Sequence, residues 1–263
     1  MEITGYSASI LIGISLGLIG GGGSILTVPV LVYLFSVDTV LATTYSLFVV
    51  GSTSLVGSFS YFKRGFIDTK TALFFGIPSI IAVFLVRHYV LPLIPEHVMN
   101  IGSFELSRSI LLMVFFAVLM VFASYSMIKK DKEEGFAITK PSNTIWIVAQ
   151  GLNVGAVTGL IGAGGGFLII PALVNLLKLP MKTAIGTSLV IIAVNSLMGF
   201  SFSLGHYPIE WTFLLTVTLI AIAGIFIGMY LSTKVDGKKL KPAFGWFVLV
   251  MGIYILVKET ILK

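Results

Sequence analysis

The sequence predicts an all-α polytopic membrane protein of two inverted repeats. Each repeat is a Gly-broken (re-entrant or hairpin) helical segment followed by three transmembrane helices. Three observations carry this. Of 263 residues, 57% are hydrophobic and 11% charged, with a mean hydropathy of +1.05, far from the balance of a soluble domain. Charge-free runs recur along the chain at 3–37, 39–62, 71–86, 109–128, 141–177, 183–207, 211–233 and 242–257. A glycine-rich string also occurs twice, as GLIGGGGSILTVPVLV (Gly17–Val32) and GLIGAGGGFLIIPALV (Gly159–Val174), displaced by 142 residues.

The first repeat takes residues 1–128. Its broken segment, 6–36, lies in a charge-free run of 35 residues. As one straight helix that run would measure about 50 Å against a hydrocarbon core of about 30 Å. It is also short for two crossings and a turn. It therefore crosses once with a break at the glycines, or folds back as two short arms. Spans follow at about 40–62, 70–88 and 108–128, since a crossing takes about 20 apolar residues. Arg87, the string LPLIPEH and Arg108 read as an interfacial segment between the last two. Residues 129–143 are a charged cytoplasmic linker. The second repeat, 144–263, restarts the pattern with a broken segment at 144–177 and spans at about 183–205, 210–232 and 242–258.

The duplication extends well beyond the glycines. Without a gap, Gly13–Leu73 matches Gly155–Leu215 at 20 of 61 positions, including Pro29/Pro171, Ser46/Ser188, Ser54/Ser196 and Gly57/Gly199. Charge then orients the halves. If all eight segments cross once, the 17 Lys and Arg divide 9 to 8 between the two sides. If both broken segments return to their starting side, the division is 13 to 4, the four being Arg87, Arg108, Lys258 and Lys263. Cytoplasmic loops are enriched in Lys and Arg, which favours the second arrangement. Both termini then lie outside a multi-pass protein of the cytoplasmic membrane. The halves are inverted, a recurrent plan of secondary transporters.

The net charge of +6 sits mostly between spans, so it marks a bilayer rather than nucleic acid. With no cysteine, disulfide and thiolate chemistry are excluded. Three histidines without ligand spacing give no metal site, and no cofactor is expected. The first apolar run lacks a basic leader, so no cleavable signal peptide is expected. The expected partners are the lipid bilayer and a small anionic substrate; oligomeric state is not readable.

A helix break at membrane depth is tolerated where backbone is buried in protein or lines a wet cavity. Glycine reaches φ > 0 and lets a ligand approach the backbone. The arms beginning near Ser24 and Gly166 would offer the N–H groups of a helix start to an anion. The candidate binding groups are therefore Gly21, Gly22, Gly23 and Ser24 with Gly164, Gly165 and Gly166. Single glycines such as Gly13 and Gly57 read instead as packing positions. The next spans open with ATTYSL and AIGTSL. Their Thr44, Ser46, Thr187 and Ser188, with Thr53 and Asn195 further along, can donate to anion oxygens. The competing role is a bond to their own helix carbonyls. Asp68 and Glu210 are repeat mates at span entrances, read as capping or snorkelling carboxylates or as coupling groups.

Paired GGGG…P and GAGGG…P elements, each followed by an A-x-x-x-S-L span, resemble the sulfite exporter TauE/SafE family, also called the toluene sulfonate uptake permease family. The string GLIGAGGGFLIIPALVNLLKLPMKTAIGTSL (Gly159–Leu189) carries the resemblance most clearly, with RGFID (Arg64–Asp68) in the first half. It covers essentially the whole chain. The resemblance implies a secondary transporter of small sulfur-containing anions, such as sulfite or a small organosulfonate like sulfoacetate, held between the two breaks near the midplane. From the residues alone, another small oxyanion or carboxylate fits equally, and a non-transporting membrane scaffold stays open. An intramembrane hydrolase is disfavoured, because a nucleophile such as Ser46 or Ser188 needs a base and no histidine or lysine shares its depth. No enzymatic activity is expected.

Overall fold

A computed structural model describes residues 2–21, 23–101, 104–128, 144–162, 164–177, 179–205, 208–232, 234 and 237–260. The charged linker expected at 129–143 and the candidate Gly22 lie outside the described residues.

The first broken segment forms α1 (Glu2–Ile19) and α2 (Ser24–Tyr33). Asp38 starts α3 (Thr39–Lys63) by accepting the N–H groups of Val40 and Leu41 at 2.9 and 3.3 Å, the usual service of an N-cap carboxylate. Asp68 does the same for α4 (Thr69–Leu85), taking the Thr71 N–H at 2.7 Å. The helix runs on through a π-helical turn, Val86–Val90, into α5 (Leu91–Leu93). Where an interfacial segment was expected, β1 (His97–Ile101) and β2 (Phe104–Ser107) pair as an antiparallel hairpin. Then come α6 (Arg108–Ile128), α7 (Thr144–Ile161), α8 (Gly166–Pro171) with a π-helical extension (Ala172–Leu176), α9 (Met181–Ser201), α10 (Trp211–Ser232) and α11 (Gly237–Thr260).

Six described helices are long and apolar enough to cross a bilayer: Thr39–Lys63, Thr69–Leu93, Arg108–Tyr125, Thr144–Ile161, Met181–Ser201 and Trp211–Ser232. This is a multi-pass helical membrane protein. α7, expected as one arm of a broken segment, is among them: its 18 residues reach about 27 Å.

Glycine stripes set the packing. Gly13 and Gly17 of α1 meet the Ala221, Ile225 and Gly228 backbone of α10, while Gly224 and Gly228 meet Ile10 and Ile14 of α1. At each of these positions a Cβ would overlap main chain. The two helices run in the same direction, since higher numbers meet higher numbers. Gly151, Gly155 and Gly159 of α7 lie in turn on Phe75, Ser79 and Val83 of α4, again in parallel. Small residues one turn apart let helix backbones touch where lipid supplies no hydrophobic drive. By contrast, α3 and α9 run antiparallel: Gly51 meets Leu197, Gly57 meets Leu189 and Gly199 meets Leu47. These two helices form the centre, each 72% buried over its most apolar stretch against 33–44% for the other four candidate spans. α6 packs on α11 through Met113, Phe116, Met120, Val248 and Ile255. The outward faces carry large exposed apolar side chains such as Phe62, Leu73, Phe122 and Leu219, as a lipid-facing surface requires.

Candidate functional site

Both long segments stop the same way. Gly20 and Gly162 close the last turns of α1 and α7, donating to the Leu16 and Thr158 carbonyls at 2.7 and 2.8 Å. Each adopts a left-handed φ, +77° and +70°, where only glycine escapes steric strain. Gly164 and Gly165 follow at +67° and +68°, and Gly165 is the residue before α8. In the first segment, Gly23 precedes α2. There Ser24 Oγ donates to the Gly21 carbonyl at 2.7 Å and Thr27 Oγ1 to the Gly23 carbonyl at 3.2 Å.

The two breaks meet. A Cβ on Gly166 would stand 2.6 Å from the Gly21 Cα, and one on Gly21 would collide with the Gly166 carbonyl. Each break also leans on the central helix of the other half. Gly20 packs on Ile185 of α9, and Gly162 on Thr43 of α3; Ile185 and Thr43 are repeat mates. Ser188 Oγ lies 3.2 Å from the Gly20 carbonyl and 2.9 Å from that of Ile185.

Between the contacts Gly51–Leu197 and Gly57–Leu189, residues 53–54 of α3 lie level with 190–196 of α9. This stretch is buried and polar. Thr53 Oγ1 is spent on its own helix, donating to the Val49 carbonyl at 2.6 Å. Asn195 Nδ2 donates to Ser79 Oγ of α4 at 2.6 Å. Yet Ser46 Oγ, Ser54 Oγ, Ser196 Oγ and Asn195 Oδ1 are buried without a hydrogen-bond partner. Ser196 Oγ lies against the second break, 2.8 Å from where a Gly164 Cβ would be, and Val50 of α3 touches the same point. A buried polar atom left unpaired costs about 1–3 kcal/mol, so these atoms call for a ligand or water. Ser54 and Ser196 were not singled out from sequence. Their only signal there is identity at the repeat offset, which many apolar positions share.

The remaining candidates serve ends and corners. Thr187 Oγ1 accepts the backbone N–H of Asp68 at 2.9 Å. The corresponding bond in the other half runs from the Glu210 N–H to the Tyr45 hydroxyl at 2.8 Å. Thr44 Oγ1 accepts from Arg87 at 3.1 Å. Arg87, read from sequence as part of an interfacial segment, is 5% exposed and holds Thr43, Thr44, Ser203 and the Gly159 carbonyl. Its sequence position, the last charged residue of the 70–88 span, does not reveal that burial, because its partners are 43 to 116 residues away. A cavity of about 460 Å³ opens between Tyr6, Phe35, Asp38, Tyr45, Glu210 and Phe213. None of its lining belongs to a break, and its two carboxylates do not suit an anion.

Comparison with known proteins bears on this arrangement. The model of the family described as Sulfite exporter TauE/SafE matches residues 6–255. The chain belongs to that family. It is 28% identical over 254 residues to a probable membrane transporter protein of Xylella fastidiosa, covering 94% of this chain and 91% of the relative. It is 27% identical over 267 residues to the probable membrane transporter protein YunE of Bacillus subtilis, covering 91% of each. A probable membrane transporter protein of Haemophilus influenzae is 26% identical over 272 residues, with 94% of this chain and 95% of the relative covered. No solved structure matches the chain. As a TauE/SafE member the protein is a membrane transporter, not an enzyme.

Proposed function

We propose that this TauE/SafE transporter carries a small sulfur-containing anion, sulfite or a small organosulfonate such as sulfoacetate, across the cytoplasmic membrane. The substrate is held where the two glycine breaks meet α3 and α9. The observation that carries this reading is the set of buried, unpartnered atoms on Ser46, Ser54, Asn195 and Ser196 of α3 and α9, with Ser196 lying against Gly164 of the second break. The three hydroxyls can donate to a pyramidal or tetrahedral oxyanion, and the arms at Ser24 and Gly166 add backbone N–H groups. With the breaks in backbone contact the path is closed; substrate enters when the halves part. Thr44, Thr187 and Ser188, now tied to protein partners, are released to the anion in that opened state. Asp68 and Glu210 remain candidates for coupling, each moving with the corner it caps or ties.

Inverted repeats make such parting a rocking of one half on the other. Three features support the inversion. α3 opposes α9 in direction. The α1–α10 and α7–α4 contacts exchange repeat mates. The bonds Asp68–Thr187 and Glu210–Tyr45 are repeat counterparts of each other, since Asp68 is the mate of Glu210 and Thr187 that of Tyr45. Sulfur as the central atom is supported by the family.

Purified protein in lipid vesicles, offered sulfite, sulfoacetate, phosphate and acetate in turn, tests the assignment. Saturable flux of sulfite or sulfoacetate is expected. Flux of acetate or phosphate with neither sulfur anion carried would overturn the substrate class. Absence of flux for every anion would overturn the transport site.

A further inference from the structure

Arg87 sits on the π-helical turn after α4 and is 5% exposed. Its Nε donates to the Gly159 carbonyl at 3.1 Å. Nη1 donates to Thr44 Oγ1 at 3.1 Å and Ser203 Oγ at 3.0 Å, and Nη2 to Thr43 Oγ1 at 3.2 Å. These four acceptors come from α7, α3 and the turn after α9, the elements that carry the second break and the unpartnered serines. A Cβ on Gly162 would stand 2.7 Å from Nη2, so the glycine that opens the break also makes room for the guanidinium.

We propose that Arg87 selects for negative charge on the approach to the second break, and that Thr43, Thr44 and Ser203 yield their places around it to the oxygens of the passing anion. This rests on the reading above that an anion is carried. Three of the four acceptors are hydroxyls and the fourth is a backbone carbonyl. Ionisable groups inside a membrane protein are expensive and mark ion and substrate paths. A guanidinium, with its planar fork of donors, matches an oxyanion two bonds at a time. Hydroxyl partners suit this handover, because each can turn from accepting to donating when the anion leaves.

The repeat makes the site one-sided. The position 142 residues on is Met229, whose backbone nitrogen packs at Gly17. At this position the first repeat therefore carries a guanidinium, beside the second break, where the second repeat carries a thioether, beside the first. The two routes to the centre differ in charge, and selection is made on the route past α3's first turns.

Sulfite flux into vesicles, with initial rates taken over a concentration series, tests Arg87→Gln, Arg87→Met and Arg87→Lys beside melting temperature. Loss of a charged hydrogen-bonding partner should raise the KM for sulfite about tenfold or more in the Gln and Met variants. The Lys variant keeps the charge and loses the fork, so its KM should rise only about threefold. Equal KM in all four proteins, with only melting temperature or maximal rate reduced, would make Arg87 a structural strut and overturn the proposal. Equal damage to KM in Lys and Gln would overturn the role of charge. Should Gln and Met not fold, Lys decides: a raised KM at an unchanged melting temperature supports the assignment, and an unchanged KM sinks it. Normal sulfite transport by wild type with an unaltered Gln variant removes Arg87 alone. Wild type that carries a different anion removes the sulfur reading, and the same series is then run on that anion. No anion flux in wild type removes both.

Discussion

Ser54 and Ser196 occupy the same position of the two repeats, and each holds a buried hydroxyl without a partner. Ser188, one helix face away, shares its hydroxyl between the Gly20 and Ile185 carbonyls. Alanine should therefore act in opposite directions at these sites. Ser54→Ala and Ser196→Ala remove an unsatisfied group, so melting temperature should hold or rise. Ser188→Ala should cost about 0.5–1.5 kcal/mol of stability. Affinity should move the other way for the first two, because each loses a donor to a charged ligand, worth about 1.5–3 kcal/mol or roughly ten- to a hundred-fold in Kd. Calorimetry with sulfite beside thermal unfolding reads both quantities on one preparation. Destabilised Ser54 and Ser196 variants with unchanged affinity would show hydroxyls that serve the fold alone. These two residues also mark where sequence reading stops. A serine in a membrane helix ordinarily bonds its own helix, as Thr53 does with Val49, and only coordinates reveal which hydroxyls have no such bond.

Glycines at the scale of helices divide into two kinds. Those of the stripes, Gly13 and Gly17 on α1 and Gly151, Gly155 and Gly159 on α7, recur one turn apart and bring backbones together. That spacing was legible for Gly13, because small residues at helical period have one common use in a bilayer. Those of the breaks are consecutive, with Gly20, Gly162, Gly164 and Gly165 left-handed, and weaken a helix at about 1 kcal/mol each. The run of glycines thus announced interruptions near the residues where α1 and α7 end. What it did not announce is that Gly21 and Gly166 touch, since that contact joins residues 145 apart in sequence. Substitution should separate the two kinds. Gly155→Leu would drive a side chain into the Ser79 backbone of α4, and the protein should fail to accumulate in a folded, detergent-stable form. Gly166→Ala meets Gly21 at 2.6 Å and should cost about 1–3 kcal/mol as overpacking. In a protein that still folds, it should also prop the breaks apart and alter transport rate. A fully active, equally stable Gly166→Ala protein, by fluorescence-monitored unfolding and vesicle flux, would contradict the close approach.

For the whole molecule, composition alone gave away the class, because about 20 apolar residues per crossing leaves few other solutions for this chain. Orientation is subtler, and the inverted arrangement proposed above draws on two independent observations. Charge divides 13 to 4 if each broken segment returns to its own side, and one of the four, Arg87, is buried within the bundle, leaving that face poorer still in exposed cations. The antiparallel course of α3 and α9 points the same way, since repeat mates that oppose each other belong to halves of opposite orientation. The chain has no cysteine, so single cysteines report cleanly. Arg64 lies in the exposed turn after α3 and Glu96, 85% exposed, before the β-hairpin. An impermeant thiol reagent added to intact cells should label Glu96→Cys and leave Arg64→Cys untouched until the membrane is opened. Pro208→Cys, exposed ahead of α10, should follow Glu96, because α9 carries the chain back to the face where α3 began. If Pro208→Cys instead follows Arg64, α9 runs the wrong way for inverted halves, and two parallel repeats would have to replace them.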